Sequence, residues 1–173
     1  MRYVLRTLAF LAPLLAGIGL SSSARADEDD IAYRANTGLR WGIGPVILIP
    51  PGDRPLGGGL DLDVRYGIGA GPVVVAPGAR FAGYILSREY IVLGMPTARV
   101  TLPFGPLAPF VVGGVGPGYT SAEEKGGVAL LGGGGLMVHI GPFFGIGAEA
   151  TYQTITGTDF KAVTVGPSLL IGF

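Results

Sequence analysis

The chain has 173 residues, 12 basic and 12 acidic, with 49% hydrophobic and only 14% charged side chains, against about 25% charged in an ordinary soluble domain. It contains no cysteine, so an exported form must be stabilised by a core, a metal or a closed sheet, not by disulfides. Its 32 glycines and 14 prolines argue against long helices.

The N-terminus reads as a cleaved export signal. Arg2 and Arg6 precede an apolar stretch from Leu8 to Leu20, and Ala24 and Ala26 then stand at the minus-three and minus-one positions of an A-x-A cleavage site. Residues 1–26 are therefore expected to be a signal peptide, leaving a mature chain of 147 residues. That chain carries nine basic against twelve acidic residues, net −3, with no basic cluster to neutralise phosphates, so no nucleic-acid partner is expected. The acidic run Asp27-Glu28-Asp29-Asp30 opens a segment, residues 27–36, read as a flexible periplasmic lead-in.

Beyond the signal no run of about 20 apolar residues occurs, which excludes a spanning helix. A closed β-barrel is the other structure that satisfies every backbone group in lipid. Turn residues divide the rest into eight predicted strands: 37–48, 59–69, 73–85, 90–103, 109–119, 128–140, 144–155 and 161–173. Each has at least the 9 to 11 residues, roughly, that a tilted strand needs to cross a bilayer.

The alternation is clearest in the second. Leu60, Leu62, Val64, Tyr66 and Ile68 share one face, opposite Asp61, Asp63, Arg65, Gly67 and Gly69. Residues 144–153 repeat it, with Phe144, Ile146 and Ala148 opposed to Gly145, Gly147 and Glu149, and so does the last strand, with Val163, Val165 and Ile171 opposed to Thr164, Ser168 and Gly172. In a membrane barrel the charged face looks inward. An eight-strand count puts both ends on one side, with the tight turns after strands two and six in the periplasm and short external loops.

This register sends Trp41, Tyr66, Phe104, Phe110, Phe143, Phe144 and Phe173 to the periplasmic ends of the strands and Phe81, Tyr84, Tyr90, Tyr119, Tyr152 and Phe160 to the external ends. Two aromatic girdles at the headgroup levels are expected.

These features resemble the small bacterial outer-membrane β-barrel superfamily of OmpA-, OmpX- and OmpW-like proteins. The resemblance is carried by the signal peptide, by Pro106-Leu107-Ala108-Pro109-Phe110-Val111-Val112-Gly113-Gly114-Val115-Gly116, which looks like that superfamily's Pro-aromatic-Val-Gly-rich strand, and by the alternating last strand. It implies an all-β fold, an eight-stranded antiparallel up-and-down transmembrane barrel over residues 37–173, in the outer membrane of a Gram-negative cell. It also implies contact with outer-membrane lipid and gives Phe173 a role as assembly signal for the barrel-assembly machinery.

Candidate sites are few. The glycine-rich stretches 113–118 and 132–135 lack the following helix and the Gly-Lys-Ser/Thr of a phosphate loop. They fit better as inward space in a narrow barrel. His139, the single histidine, is the only base available to a triad with Ser168 or Ser121 and Glu149, but parity puts it inside, away from lipid, and no catalytic residues are assigned. Asp61 and Asp63, about 7 Å apart on one strand face, are read as ion-pairing partners in preference to metal ligands. With Arg40, Arg65, Arg80, Arg99 and Glu149 they form an expected interior charge network, because buried ions must be paired. No metal or cofactor is expected.

Three functions follow. The first is a non-enzymatic outer-membrane protein with a structural or surface-interaction role. The second is a narrow pore or a conduit for small or apolar molecules. The third is a soluble periplasmic lipocalin-like binder, which would turn the barrel inside out.

Overall fold

The computed structural model describes residues 30–172. The signal peptide predicted over residues 1–26 and the assembly signal at Phe173 lie outside the described residues. A short helix α1 (Ile31–Asn36) leads into eight strands, β1 (Gly38–Ile49), β2 (Gly57–Ala70), β3 (Val73–Leu86), β4 (Glu89–Thr101), β5 (Leu107–Thr120), β6 (Lys125–His139), β7 (Phe144–Ile155) and β8 (Lys161–Gly172). All neighbours are antiparallel and β1 closes on β8, so the sheet is a barrel without an edge.

Period-two patterning dictates which face looks out. Leu60, Leu62, Tyr66 and Ile68 are exposed on the outer wall, as are Val163, Val165 and Ile171, whereas Arg40, Arg65, Arg80 and Arg99 are at most 5% exposed inside. A lipocalin-like arrangement would reverse these faces, and the structure does not. Trp41, Tyr66, Phe104, Phe143 and Phe144 ring the end that carries α1, and Phe81, Tyr90, Tyr119 and Tyr152 lie toward the other end. Three aromatics expected in the girdles are corrected: Phe110 and Tyr84, by strand parity, and Phe160, in the connection before β8, are buried at 5%, 1% and 6% exposure.

The end bearing α1, the terminal end, has turns at 71–72, 102–106 and 140–143. In each a glycine, Gly71, Gly105 or Gly141, takes a positive φ that an L side chain rarely adopts. The opposite, loop end carries connections of two to seven residues.

Prolines interrupt the ladder at defined seams. Between β1 and β8, pairing stops after Ile43↔Leu169 and resumes at Ile47↔Val165. The register there sets Pro45 opposite Pro167, and neither has an N–H to donate. Between β4 and β5 it stops from Leu93↔Gly118 to Thr97↔Gly114, a stretch containing Pro96 and Pro117. In an eight-stranded ring these two seams lie on opposite sides.

The segment read as a flexible lead-in ends in ordered structure. Asp30 caps α1, its Oδ1 accepting from the Ala32 and Tyr33 amides at 2.8 and 3.4 Å, and Ala32, Ala35 and Asn36 are buried in the terminal mouth. Gly67 and Gly69 make room for the helix. A Cβ on Gly67 would collide with the Asn36 carbonyl, and one on Gly69 with the Tyr33 hydroxyl.

Candidate functional site: the barrel lumen

Inward residues of all eight strands meet in the lumen, which is stratified into three levels. At mid-height, where β2, β3, β4 and β7 bring their charges to one depth, Arg65 Nη1 pairs with Asp63 at 2.5 Å. Glu149 bridges two guanidiniums, Arg80 at 2.6 Å and Arg99 at 2.7 Å, and Arg80 also lies 3.6 Å from Asp61. Arg99 stacks over the Phe110 ring, 3.6 Å from its centroid, a cation–π contact favoured by desolvation.

A neutral polar layer adjoins the charges. The Tyr84 hydroxyl donates to Asp61 at 2.8 Å and accepts from Gln153 Nε2 at 2.8 Å. Gln153 reaches Thr151 and Thr164 at 3.0 and 3.2 Å, and those two hydroxyls bond each other at 2.6 Å. Each charged side chain of this low-dielectric cluster thus has at least one partner of opposite sign, Arg65 within β2 and Arg80 and Arg99 on other strands.

Toward the loop end the lumen is apolar. Leu48, Leu86, Ile91, Leu93, Leu131 and Ile155 pack there with Phe160 over them. Packing at this level closes the barrel with a hydrophobic plug that the charged strand faces give no hint of.

Of the seven residues predicted to form one network, six come together and Arg40 does not. Arg40 turns toward the terminal mouth, where its Nε donates to the Ala35 carbonyl at 2.6 Å and its Nη2 to that of Arg34 at 2.7 Å. Four arginines against three carboxylates would leave one unpaired. The carbonyls at the C-terminus of α1 take the fourth, so the central cluster is left with three of each sign.

His139 is not assembled into a triad. Its Nε2 lies 2.9 Å from Asn36 Nδ2, Glu149 is engaged by two arginines, and Ser121 sits beyond the loop end of β5. The participants that sequence reasoning missed are Tyr84, Phe110, Thr151, Gln153, Thr164 and Asn36. Parity places most of them inside; what it does not show is which of them touch. Among the described residues no group of three or more His, Cys, Asp or Glu side chains has the arrangement of a metal site.

Beside the cluster, against the β1–β8 seam, lies a void of about 20 Å³, room for a single water. It is bordered by Asp61, Arg80, Glu149 and Ser168 on the lumen side and by Gly44 and Pro167 in the wall. Outside the same seam a shallow apolar hollow is lined by Pro45, Ile47, Ala148, Val165 and Pro167.

Neither a family model nor a curated protein matches the sequence. Solved structures do. The chain is similar to Neisserial surface protein A (NspA), with a TM-score of 0.57 at 10% identity over 79% of this chain and 98% of that one. It is similar to the outer membrane enzyme PagL, with a TM-score of 0.59 at 11% identity over 76% and 99%. It is also similar to the outer membrane protein Ail of Yersinia pestis, with a TM-score of 0.52 at 19% identity over 79% and 99%. The fold is that of the small eight-stranded outer-membrane β-barrels.

Proposed function

We propose that the chain is a non-enzymatic integral outer-membrane protein whose barrel is closed to ion flow and which acts structurally or through its loop-end surface. The observation that carries this reading is the filled lumen: a charge cluster at mid-height, an apolar plug above it and α1 below. An eight-stranded barrel is only just wide enough for its inward side chains to fill, and here the long arginines do so. Lipid meets the continuous outer band of Leu, Ile and Val. The part given to Phe173 in recognition by the barrel-assembly machinery rests on resemblance alone.

Reconstitution in planar bilayers tests the reading. The wild type is expected to show no steady conductance, and Glu149→Ala or Arg65→Ala to show opening events once the loop-end plug is also thinned by Leu93→Ala and Leu131→Ala. A large, stable wild-type conductance indifferent to either substitution would reject the closed barrel.

A second reading, a conduit for small apolar molecules, is favoured by one observation, the Pro45–Pro167 break in the wall between the apolar hollow and the lumen. Restoring the ladder with Pro45→Ala and Pro167→Ala should abolish transfer of an apolar solute into proteoliposomes if the seam is the route.

A further inference from the structure

The terminal mouth of the lumen is closed by a part of the chain that cannot hold its shape unaided. A six-residue helix is far below the roughly 12 to 15 residues needed for even marginal stability in water, so α1 (Ile31–Asn36) is folded by what it docks onto. Among the described residues the hydrogen bonds that tie it to the barrel are few and all at its ends. Asp30 Oδ2 accepts from the Gly105 amide at 2.7 Å, and the Ala32 amide donates to the Gly105 carbonyl at 3.0 Å. At the other end Asn36 meets His139 at 2.9 Å, and Arg40 holds the Arg34 and Ala35 carbonyls. Apolar contact is small, since the buried helix side chains are two alanines and one asparagine.

Behind the helix the lumen is not fully satisfied. Arg65 Nη2, Arg99 Nη1 and His139 Nδ1 are buried and have no hydrogen-bond partner among the described residues, in side chains whose residues are 4%, 2% and 4% exposed. Buried donors without acceptors disfavour the shut state, and water or a small anion reaching them would favour an open one. A handful of terminal hydrogen bonds that seat the helix is thus set against the hydration of the chamber behind it.

We propose that α1 is a hatch on the terminal mouth, folded while seated and unfolded when displaced, that controls access of water and small ions to the charged chamber while the barrel wall stays intact. The hatch rests on the closed-barrel reading and adds that the closure is reversible at one end only, because the loop end is shut by tightly packed Leu and Ile side chains. Gly67 and Gly69 are then the seat, since the strand face beneath the helix has no side chains there to block docking.

The chain has no cysteine, which makes a single introduced thiol an unambiguous reporter. Ala108 is fully buried, belongs to the same packed cluster as Ala32, and is paired with Met137, one inward step from His139. Ala108→Cys is made alone and together with Asp30→Ala, Asn36→Ala and Arg40→Met, which remove the side-chain hooks from both ends of the helix. Labelling by a charged, membrane-impermeant maleimide is timed in nanodiscs, and each protein is run boiled and unboiled to establish that its barrel is folded. The unhooked protein is expected to label at least tenfold faster than Ala108→Cys alone, with the gel shift retained in both. Equal rates with the shift retained, whether both fast or both slow, would overturn the hatch. A large, stable conductance of the wild type in planar bilayers would count instead against the closed barrel on which the hatch rests, and if Ala108→Cys alone loses the shift the thiol is placed at Met137→Cys and the comparison repeated.

Discussion

Glu149→Ala is the sharpest test of how the lumen is held. Among the described residues Glu149 is the one carboxylate that engages two guanidiniums, at 2.6 and 2.7 Å, and their side chains are 4% and 3% exposed. Without it Arg80 keeps Asp61 at 3.6 Å, whereas Arg99 keeps the Phe110 ring and, among the described residues, no salt-bridged carboxylate. Removing one partner of a buried pair leaves an uncompensated charge and costs about 3 to 5 kcal/mol. Because Arg99 loses the one acid salt-bridged to it among the described residues while Arg80 is partly compensated, the loss is expected within that range and not at its double. Adding Arg99→Met removes the stranded charge, so the double variant should be less destabilised than the two single losses together, with a coupling of roughly 1 to 3 kcal/mol. Urea titration of protein folded into lipid vesicles, with the folded fraction read from the mobility difference between unboiled and boiled samples, measures all four corners of the cycle. A Glu149→Ala loss below about 1 kcal/mol, or strict additivity, would refute the idea that this bridge organises the interior.

Val165→Arg puts a charge on the lipid face and is expected to cost about 2 to 4 kcal/mol near the midplane, while Ser168→Ala, facing the lumen void, should change stability by less than about 1 kcal/mol; similar tolerance at both sites in the same titration would contradict the assignment of faces. Pro45→Ala with Pro167→Ala restores two ladder donors, so hydrogen exchange of the amides around residues 44–46 and 166–168 should slow, and unchanged exchange would show that the prolines are not what weakens the seam. Gly67→Ala drives a methyl into the Asn36 carbonyl and should expose the α1 amides to exchange while the strands stay protected; protection of α1 equal to wild type would mean that the helix does not sit where the structure places it.

Strand number, order and facing were legible in the amino-acid order, because a period of two is a local property. Leu60-Asp61-Leu62-Asp63 states its two environments without reference to any other strand, and the prolines and glycines between such runs mark the turns. The same parity put Arg65, Arg80, Arg99 and Glu149 inside. What misled was residue type: Phe110, Tyr84 and Phe160 are aromatic, as girdle residues are, yet face the lumen, as the parity of Phe110 and Tyr84 already indicates. Which arginine meets which carboxylate was decided only by closure, since Arg99 and Glu149 are 50 residues apart and meet across the lumen. The same is true of Pro45 and Pro167, unremarkable as separate residues, which become a break in the wall only when β8 returns to β1. Arg40 shows the limit most directly. Its parity marks it as interior, but its partners are main-chain carbonyls of a six-residue helix that no sequence period announces, and that helix exists only because the finished barrel gives it a place to dock.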